Sequence, residues 1–386
     1  MTAPQPQPDQ LTLTVGGMIY AGWKEIVVSR HIDHMASGFS IGLTERWAGQ
    51  NQPWPIMPFA PCTIKIGNDL VLTGYVDGPA PGFTRASHTV TVSGRSKTSD
   101  LLDCTPDIKS GQFKGYTLEQ IARAVCQLFS IDVLVQTPAT QIFPDATLQR
   151  CETAFAFLER LARLAGVLLT DDSMGRLVLT TAGTARATTR LVEGQNIEAG
   201  SAKLDGRRRF SQYIVKGQHA LAAAAANWGG AGGTGSASSA AAGPVIVDMK
   251  AVALDTAVPR YRPKVTLAEA QLDQAGMQRR ASWERNYAFG RATEADITVQ
   301  GWRQVDGTLW AINQLVPVTS PWLQIDQDLL IAGTTFKLDD SGGRTTALRL
   351  GPIEGFTPDP GQVKLHAKRG KKGKTAPNWD GAGISG

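Results

Sequence analysis

Apolar and polar residues alternate with period two through much of the first hundred positions. Leu11–Val15 reads LTLTV, Thr63–Ile66 reads TIKI and Thr89–Val92 reads TVTV. Residues two apart share one face of a strand, so each run predicts a half-buried strand. Leu70–Val76 is a β-rich apolar run. Gly67, Asn68 and Asp69 just before it predict a hairpin turn, because Gly and Asn tolerate positive φ. Pro53, Pro55, Pro58 and Pro61 predict loop. Many short strands with Gly and Pro turns point to a barrel or sandwich.

After Cys104 the period changes to that of helices. Thr117 and Gln120 form a capping-box pattern ahead of Leu118, Ile121, Ala122, Val125, Leu128 and Phe129 at helical spacing. A second helix is predicted over Thr153–Ala165, stopped by Gly166. Val167–Thr170 and Arg176–Thr180 flank a turn at Asp171–Gly175 and predict a hairpin. Ala220–Gly243 is almost entirely Ala, Gly and Ser and predicts a flexible loop. Thr266 and Glu269 form another capping-box pattern, which predicts a polar helix reaching about Tyr287. Ile297–Val299, Leu309–Val318, Leu329–Ile331 and Thr345–Leu350 predict a second set of strands.

These patterns divide the chain. Residues 1–9 form a flexible N-terminus, 10–104 a first β domain and 105–187 an α+β domain. Residues 188–218 with 296–357 form a discontinuous second β domain. Residues 219–243 are the Ala/Gly/Ser loop, 244–295 a helical insert and 358–386 a basic tail.

The composition of the 386 residues, 42% hydrophobic and 19% charged, is that of a folded protein and excludes disorder of the whole chain. No apolar run is long enough for a transmembrane helix, and the Pro/Gln-rich start lacks a signal-peptide pattern. Cys62, Cys104, Cys126 and Cys151 show no CxxC and are expected to be buried, reduced thiols. Net charge is +5, from 39 Lys and Arg against 34 Asp and Glu. Lys364, Lys368, Arg369, Lys371, Lys372 and Lys374 sit in the tail with Asp380, which leaves 33 of each sign elsewhere. The body is neutral, so the basic character does not describe a nucleic-acid-binding domain.

Short motifs carry little chemistry. The GxGxxG match at Gly230–Gly235 lies in the Ala/Gly/Ser tract, without the strand and helix that a dinucleotide site needs. Gly373, Lys374 and Thr375 imitate the end of a P-loop, but the first Gly position holds Lys368 and no helix follows. His31, Asp33 and His34 are metal-ligand types, yet their neighbours read as strands, and no metal site is expected. Asp171 and Asp172 read as a turn pair. Arg207, Arg208 and Arg209 read as a solvated face, with contact to phosphate or an acidic partner as the alternative.

Three stretches carry a family resemblance. The first is Trp23–Asp33 with Gly38–Trp47. The second is Leu72–Asp77 with Ser87–Cys104, whose most specific piece is GRSKTSDLLDC at Gly94–Cys104. The third is Val299–Trp302 with Gly307–Asn313. Together they resemble the baseplate hub proteins of contractile-tailed phages of the phage Mu type, related to the T-even hub and the base of type VI secretion spikes. The resemblance covers about residues 10–357. It implies a β-rich α+β multidomain fold with two tail-tube-like β-barrel domains and smaller α/β inserts. It also implies a homotrimer whose six barrels surround a channel of pseudo-sixfold symmetry. That ring joins the tail tube to the central spike, contacts other baseplate proteins and the tape measure protein, and passes DNA in transit. The implied location is the virion baseplate, after assembly in the host cytoplasm, with no membrane anchor, cofactor or enzymatic activity. The rival readings are a type VI-like or bacteriocin spike base and a tail-associated peptidoglycan hydrolase. Asp77, Arg95, Lys97 and Asp100 are candidates for structural pairs or subunit contacts, and Trp302 and Trp310 for interface or packing positions. Lys368, Arg369, Lys371, Lys372 and Lys374 are candidates for nonspecific polyanion contact.

Overall fold

A computed structural model describes residues 9–45, 56–85, 88–221, 245–268 and 274–359. Seven strands open the chain: β1 (Leu11–Val15), β2 (Met18–Tyr20), β3 (Glu25–His31), β4 (Gly38–Glu45), β5 (Pro61–Ile66), β6 (Asp69–Phe83) and β7 (His88–Ser96). The period-two runs act as predicted, with Leu11, Leu13, Val15, Cys62, Ile64 and Ile66 all buried. Ile66 pairs with Asp69 across the predicted turn, where Gly67 has φ +58°. A Cβ on Gly94 would come within 2.3 Å of the Tyr75 carbonyl and 2.5 Å of the Phe39 ring. Only glycine therefore lets β7 lie this close to its neighbours.

The next unit contains α1 (Ser99–Asp103), α2 (Leu118–Gln127), β8 (Val133–Val135), α3 (Ala154–Ala165), β9 (Leu168–Asp171) and β10 (Leu177–Thr180). The predicted capping box is made: Thr117 Oγ1 accepts from the Gln120 amide, and Gln120 Oε1 accepts from the Thr117 amide. Thr153 caps α3, and Gly166 ends it at φ +71°. The helices bury Leu118, Ile121, Val125, Phe157, Leu158 and Leu161 in a core of their own.

The rest of the chain forms β11 (Ile197–Leu204), β12 (Gln212–Leu221), β13 (Val245–Leu254), β14 (Pro263–Leu267), α4 (Gln274–Ala292), β15 (Thr293–Gln300), β16 (Gln314–Ser320), β17 (Ile325–Asp339) and β18 (Gly343–Gly351). The two β regions share one sheet, in the order β11-β15-β18-β17-β3-β4-β7-β6-β5-β1-β2, with β16 alongside β17. The long strand β17 makes the connection. Its first half pairs with β16; after a bulge between Ile331 and Gly333, the second half pairs with β3. The same core runs through both regions and contains Val28, Ile41, Ile64, Ile297, Trp302, Phe336 and Leu348.

Several sequence expectations need correction. No closed barrel appears among the described residues, so the architecture is stated as strand-rich with small helical units. β12, expected within the second β region, pairs instead with β13 and β14 in a separate three-stranded sheet. The expected helical insert thus begins with two strands. Thr266 lies in β14 rather than capping a helix: its Oγ1 donates to Glu284 on α4, and parallel pairing with β12 overrides the local pattern. Cys62 and Cys126 are buried, but Cys104 and Cys151 are exposed; all four are free thiols. Cys104 caps the end of α1 with an extended backbone, and Cys151 sits before α3 at φ +61°. The Ala/Gly/Ser loop expected over residues 219–243 begins later than expected, because residues 219–221 are the end of β12; residues 222–243, including the GxGxxG match, fall outside the described residues, as does the tail with Lys368, Arg369, Lys371, Lys372 and Lys374.

Candidate functional site

The GRSKTSDLLDC run forms a joint between the first β region and the α/β unit. The Ser96 amide donates to the Ser37 carbonyl (2.8 Å) and the Lys97 amide to the Thr73 carbonyl (3.1 Å). Asp171, only 2% exposed, enters this joint from the end of β9. Its carboxylate accepts from the Ser37 amide (2.9 Å), the Ser37 hydroxyl (2.8 Å) and the Thr98 hydroxyl (3.5 Å). Arg30 donates to the Asp171 carbonyl (3.0 Å). The following turn also seats on β6, where Thr73 Oγ1 donates to the Ser173 carbonyl (2.9 Å). A Cβ on Gly175 would come within 2.8 Å of the Thr73 carbonyl. Buried polar groups are therefore matched across the joint, which holds two units in one register. Asp172 is spent on its own turn, accepting from Arg176 Nε (2.6 Å).

Arg95 joins the other charged residues of the run. Its guanidinium bonds Asp77 (3.1 Å) and Asp103 (2.8 Å), and these two partners hold its pKa above the ordinary value. All three side chains are exposed, so the network adds little stability in water. Asp100 stays outside these pairs. Burial, and then the Asp103 charge, raise its pKa. Lys97 is half-buried beside Gly175. Trp302 and Trp310 are both buried in the main core. Trp302 Nε1 donates to the Lys337 carbonyl (2.9 Å), whereas Trp310 Nε1 is buried without a partner among the described residues. The third tryptophan of this region, Trp322, is 85% exposed in the turn before β17, and Phe59 and Phe83 are exposed near and on β6. Periodicity gave no signal for these three, because they sit in turns and strand ends.

A second joint surrounds Asp33. Arg349 pairs with its Oδ1, His34 Nδ1 lies 3.1 Å from the same oxygen, and Arg291 is 3.8 Å from Oδ2. His31, Asp33 and His34 bring their ligand atoms within 4.8 Å of one another. A dication there would face both guanidiniums, and the carboxylate is already neutralised, so the group fits an ion-paired joint. It borders a cavity of about 470 Å³ walled by Phe155, Trp283, Tyr287 and Phe356. α4 closes on the turn that follows β18: a Cβ on Gly290 would sit 2.0 Å from the Gly355 nitrogen. Arg207 and Arg208 border a second concavity. There Arg207 bonds Asp205 (2.7 Å) and Arg208 is exposed, whereas Arg209, outside its lining, bonds Asp255 (2.9 Å).

Three family models match the chain. The N-terminal model of Mu phage baseplate assembly protein GpP-like proteins covers residues 10–96, the second-domain model of gp44-like baseplate hub proteins covers 98–181, and the fourth-domain model of GpP covers 273–359. The first two models meet at the Lys97 joint. Baseplate hub protein gp44 of Escherichia phage Mu is 35% identical over 350 residues, which cover 90% of this chain and 88% of that protein.

The chain belongs to the baseplate hub protein family of Mu-like phages.

The 43 kDa tail protein of prophage MuSo2 from Shewanella oneidensis matches with a TM-score of 0.77 at 34% identity, covering 91% of this chain and all of that one. A tail protein from Neisseria meningitidis MC58 shares the fold, with a TM-score of 0.73 at 21% identity and coverage of 92% and 99%. The c3393 protein of E. coli, a type VI secretion component, shares it more distantly, with a TM-score of 0.52 at 9% identity and coverage of 88% and 76%. As a hub protein the chain is a structural component of the phage tail baseplate and associates there with other tail proteins. Among the described residues no helix is long and apolar enough to cross a membrane.

Proposed function

We propose that three copies form a ring at the centre of the baseplate, with one β region of each copy repeating another around a pseudo-sixfold channel. The ring joins the six-fold tail tube to the three-fold spike and lets DNA pass. Its work is geometric, without catalysis, and its domains are those expected from the sequence except where β12–β14 form their own sheet. The observation that carries this reading is the 35% identity to the phage Mu hub over nearly the whole of both chains. Two features support it. Among the described residues the shared sheet ends in the outer strands β11 and β2, and in this reading such sheet ends meet a neighbouring copy. The neutral body suits a conduit through which DNA slides without sticking. In this reading Arg95, Asp77, Lys97 and Asp100 hold the joint within one chain, and the exposed Trp322 meets a partner. Gold-labelled antibody against the chain tests the placement on purified tails. Label at the centre of the tail end agrees with it, and label along the sheath or absent from tails counts against it.

A further inference from the structure

The cavity of about 470 Å³ beside the Asp33 joint lies between α3 and α4. α3 supplies Phe155 and Ala162 to its wall, α4 supplies Trp283 and Tyr287, and the turn after β18 supplies Phe356 and Pro358. The Trp283 and Tyr287 rings stack on each other, with centroids 4.9 Å apart. Walls of this kind gain more from apolar side chains than from water. Charge does not choose the occupant, because each carboxylate on the wall is answered: Asp33 by Arg349 and Arg291, Glu159 by Arg163, and Asp359 by Arg280.

The path of the chain does choose it. Trp283 Nε1 donates to the Thr357 carbonyl (3.1 Å), and Arg280 pairs with the Asp359 carboxylate. The last described residues are thus fastened to α4 at the cavity wall, and residues 360–386 start from there. Asp359, Pro360 and Gly361 are the residue types that open a tight turn. Val363 and Leu365 follow. Two apart, they share one side of an extended segment, with Lys364 on the other. Beyond them the next large apolar side chain is Trp379. Four and six residues of chain reach at most about 14 and 22 Å. A tether this short holds both side chains at an effective concentration on the order of millimolar, which a separate protein must exceed to displace them.

We propose that the chain turns back at Pro360 and Gly361 and seats Val363 and Leu365 in this cavity, against Phe155 of α3 and Trp283 and Tyr287 of α4. The occupant is the chain's own segment 360–365. Once seated, it ties the α/β unit to α4 and covers the Asp33 joint, while Lys368–Lys374 continue beyond the cavity. The inference needs no ring of copies and stands apart from the hub reading.

The test is a diazirine analogue of leucine at position 365 of the purified full chain, followed by irradiation, denaturing mass measurement and peptide mapping. The expected product keeps the mass of one chain and joins position 365 to the α3 or α4 wall. Val363→Asp lowers its yield at least tenfold, whereas Lys371→Glu with Lys372→Glu leaves it unchanged. None of the changed positions lies among the described residues, so the described fold keeps all its own contacts. A product with the mass of two chains, a link to another part of the chain, no crosslink, or a yield indifferent to Val363→Asp overturns the proposal.

Discussion

Replacing Asp171 with Ala tests the joint between the first sheet and the α/β unit. The carboxylate accepts two short bonds from Ser37, at 2.9 and 2.8 Å, and a longer one from Thr98. Removing it strands a buried amide and a buried hydroxyl, at about 1–3 kcal/mol each. Relief of the cost of burying the charge offsets part of this. A net loss of about 2–4 kcal/mol follows, confined to the joint. Asp171→Asn keeps the shape and one acceptor, so it falls between parent and Ala. A chain with several cores need not unfold in one step, so the readout is local hydrogen exchange. Protection of the Ser37 amide is expected to fall by about 30-fold to several hundred-fold, at tenfold per 1.4 kcal/mol. Amides within α2 serve as the unchanged reference. Unaltered protection at Ser37 in the Ala variant would refute the claim that this carboxylate holds the joint.

The two classes of tryptophan should separate cleanly in thermal melts. Trp302→Ala, which empties a core site and frees the Lys337 carbonyl, costs about 3–5 kcal/mol. Trp322→Ala changes stability by less than about 0.5 kcal/mol. A native-state maleimide assay should label Cys104 and Cys151 only, because burial pushes the Cys62 and Cys126 thiols up to about 12; labelling of those two should require denaturant. Burial, then Arg349 and His34, lower the pKa of His31 below its ordinary 6.5. Below pH 6.5 the unfolded chain takes up that proton more readily than the folded one, so the stability this group contributes is present at higher pH and lost on acidification. His31→Gln should flatten that part of the pH profile in denaturant titrations, and an unchanged slope would contradict the assignment.

Local devices were readable in the chain because their partners are close in sequence. The Gly67 turn, the Thr117 capping box and the Gly166 stop each involve residues within a few positions. The Thr266 and Glu269 pattern misled because the same residue types also suit a strand, and only β12, some fifty residues earlier, decides between them. The joining of the two β regions through β3 and β17 has no local signature at all. Asp171 was visible only as a turn residue, since Ser37 lies 134 positions away and Thr98 lies 73 away. The GRSKTSD run stood out through resemblance, and the fold explains its content: Ser96 and Thr98 serve the buried joint, whereas Arg95 turns outward to Asp77 and Asp103. Tryptophan content marked the second β region without sorting Trp302 and Trp310 inside from Trp322 outside.

The mass of the purified chain in solution, by light scattering with images of the same peak, bears most directly on the ring. The account predicts three times the 41.2 kDa chain mass and a ring with an axial hole. A single-chain mass at micromolar concentration, or a compact particle without a hole, would contradict it.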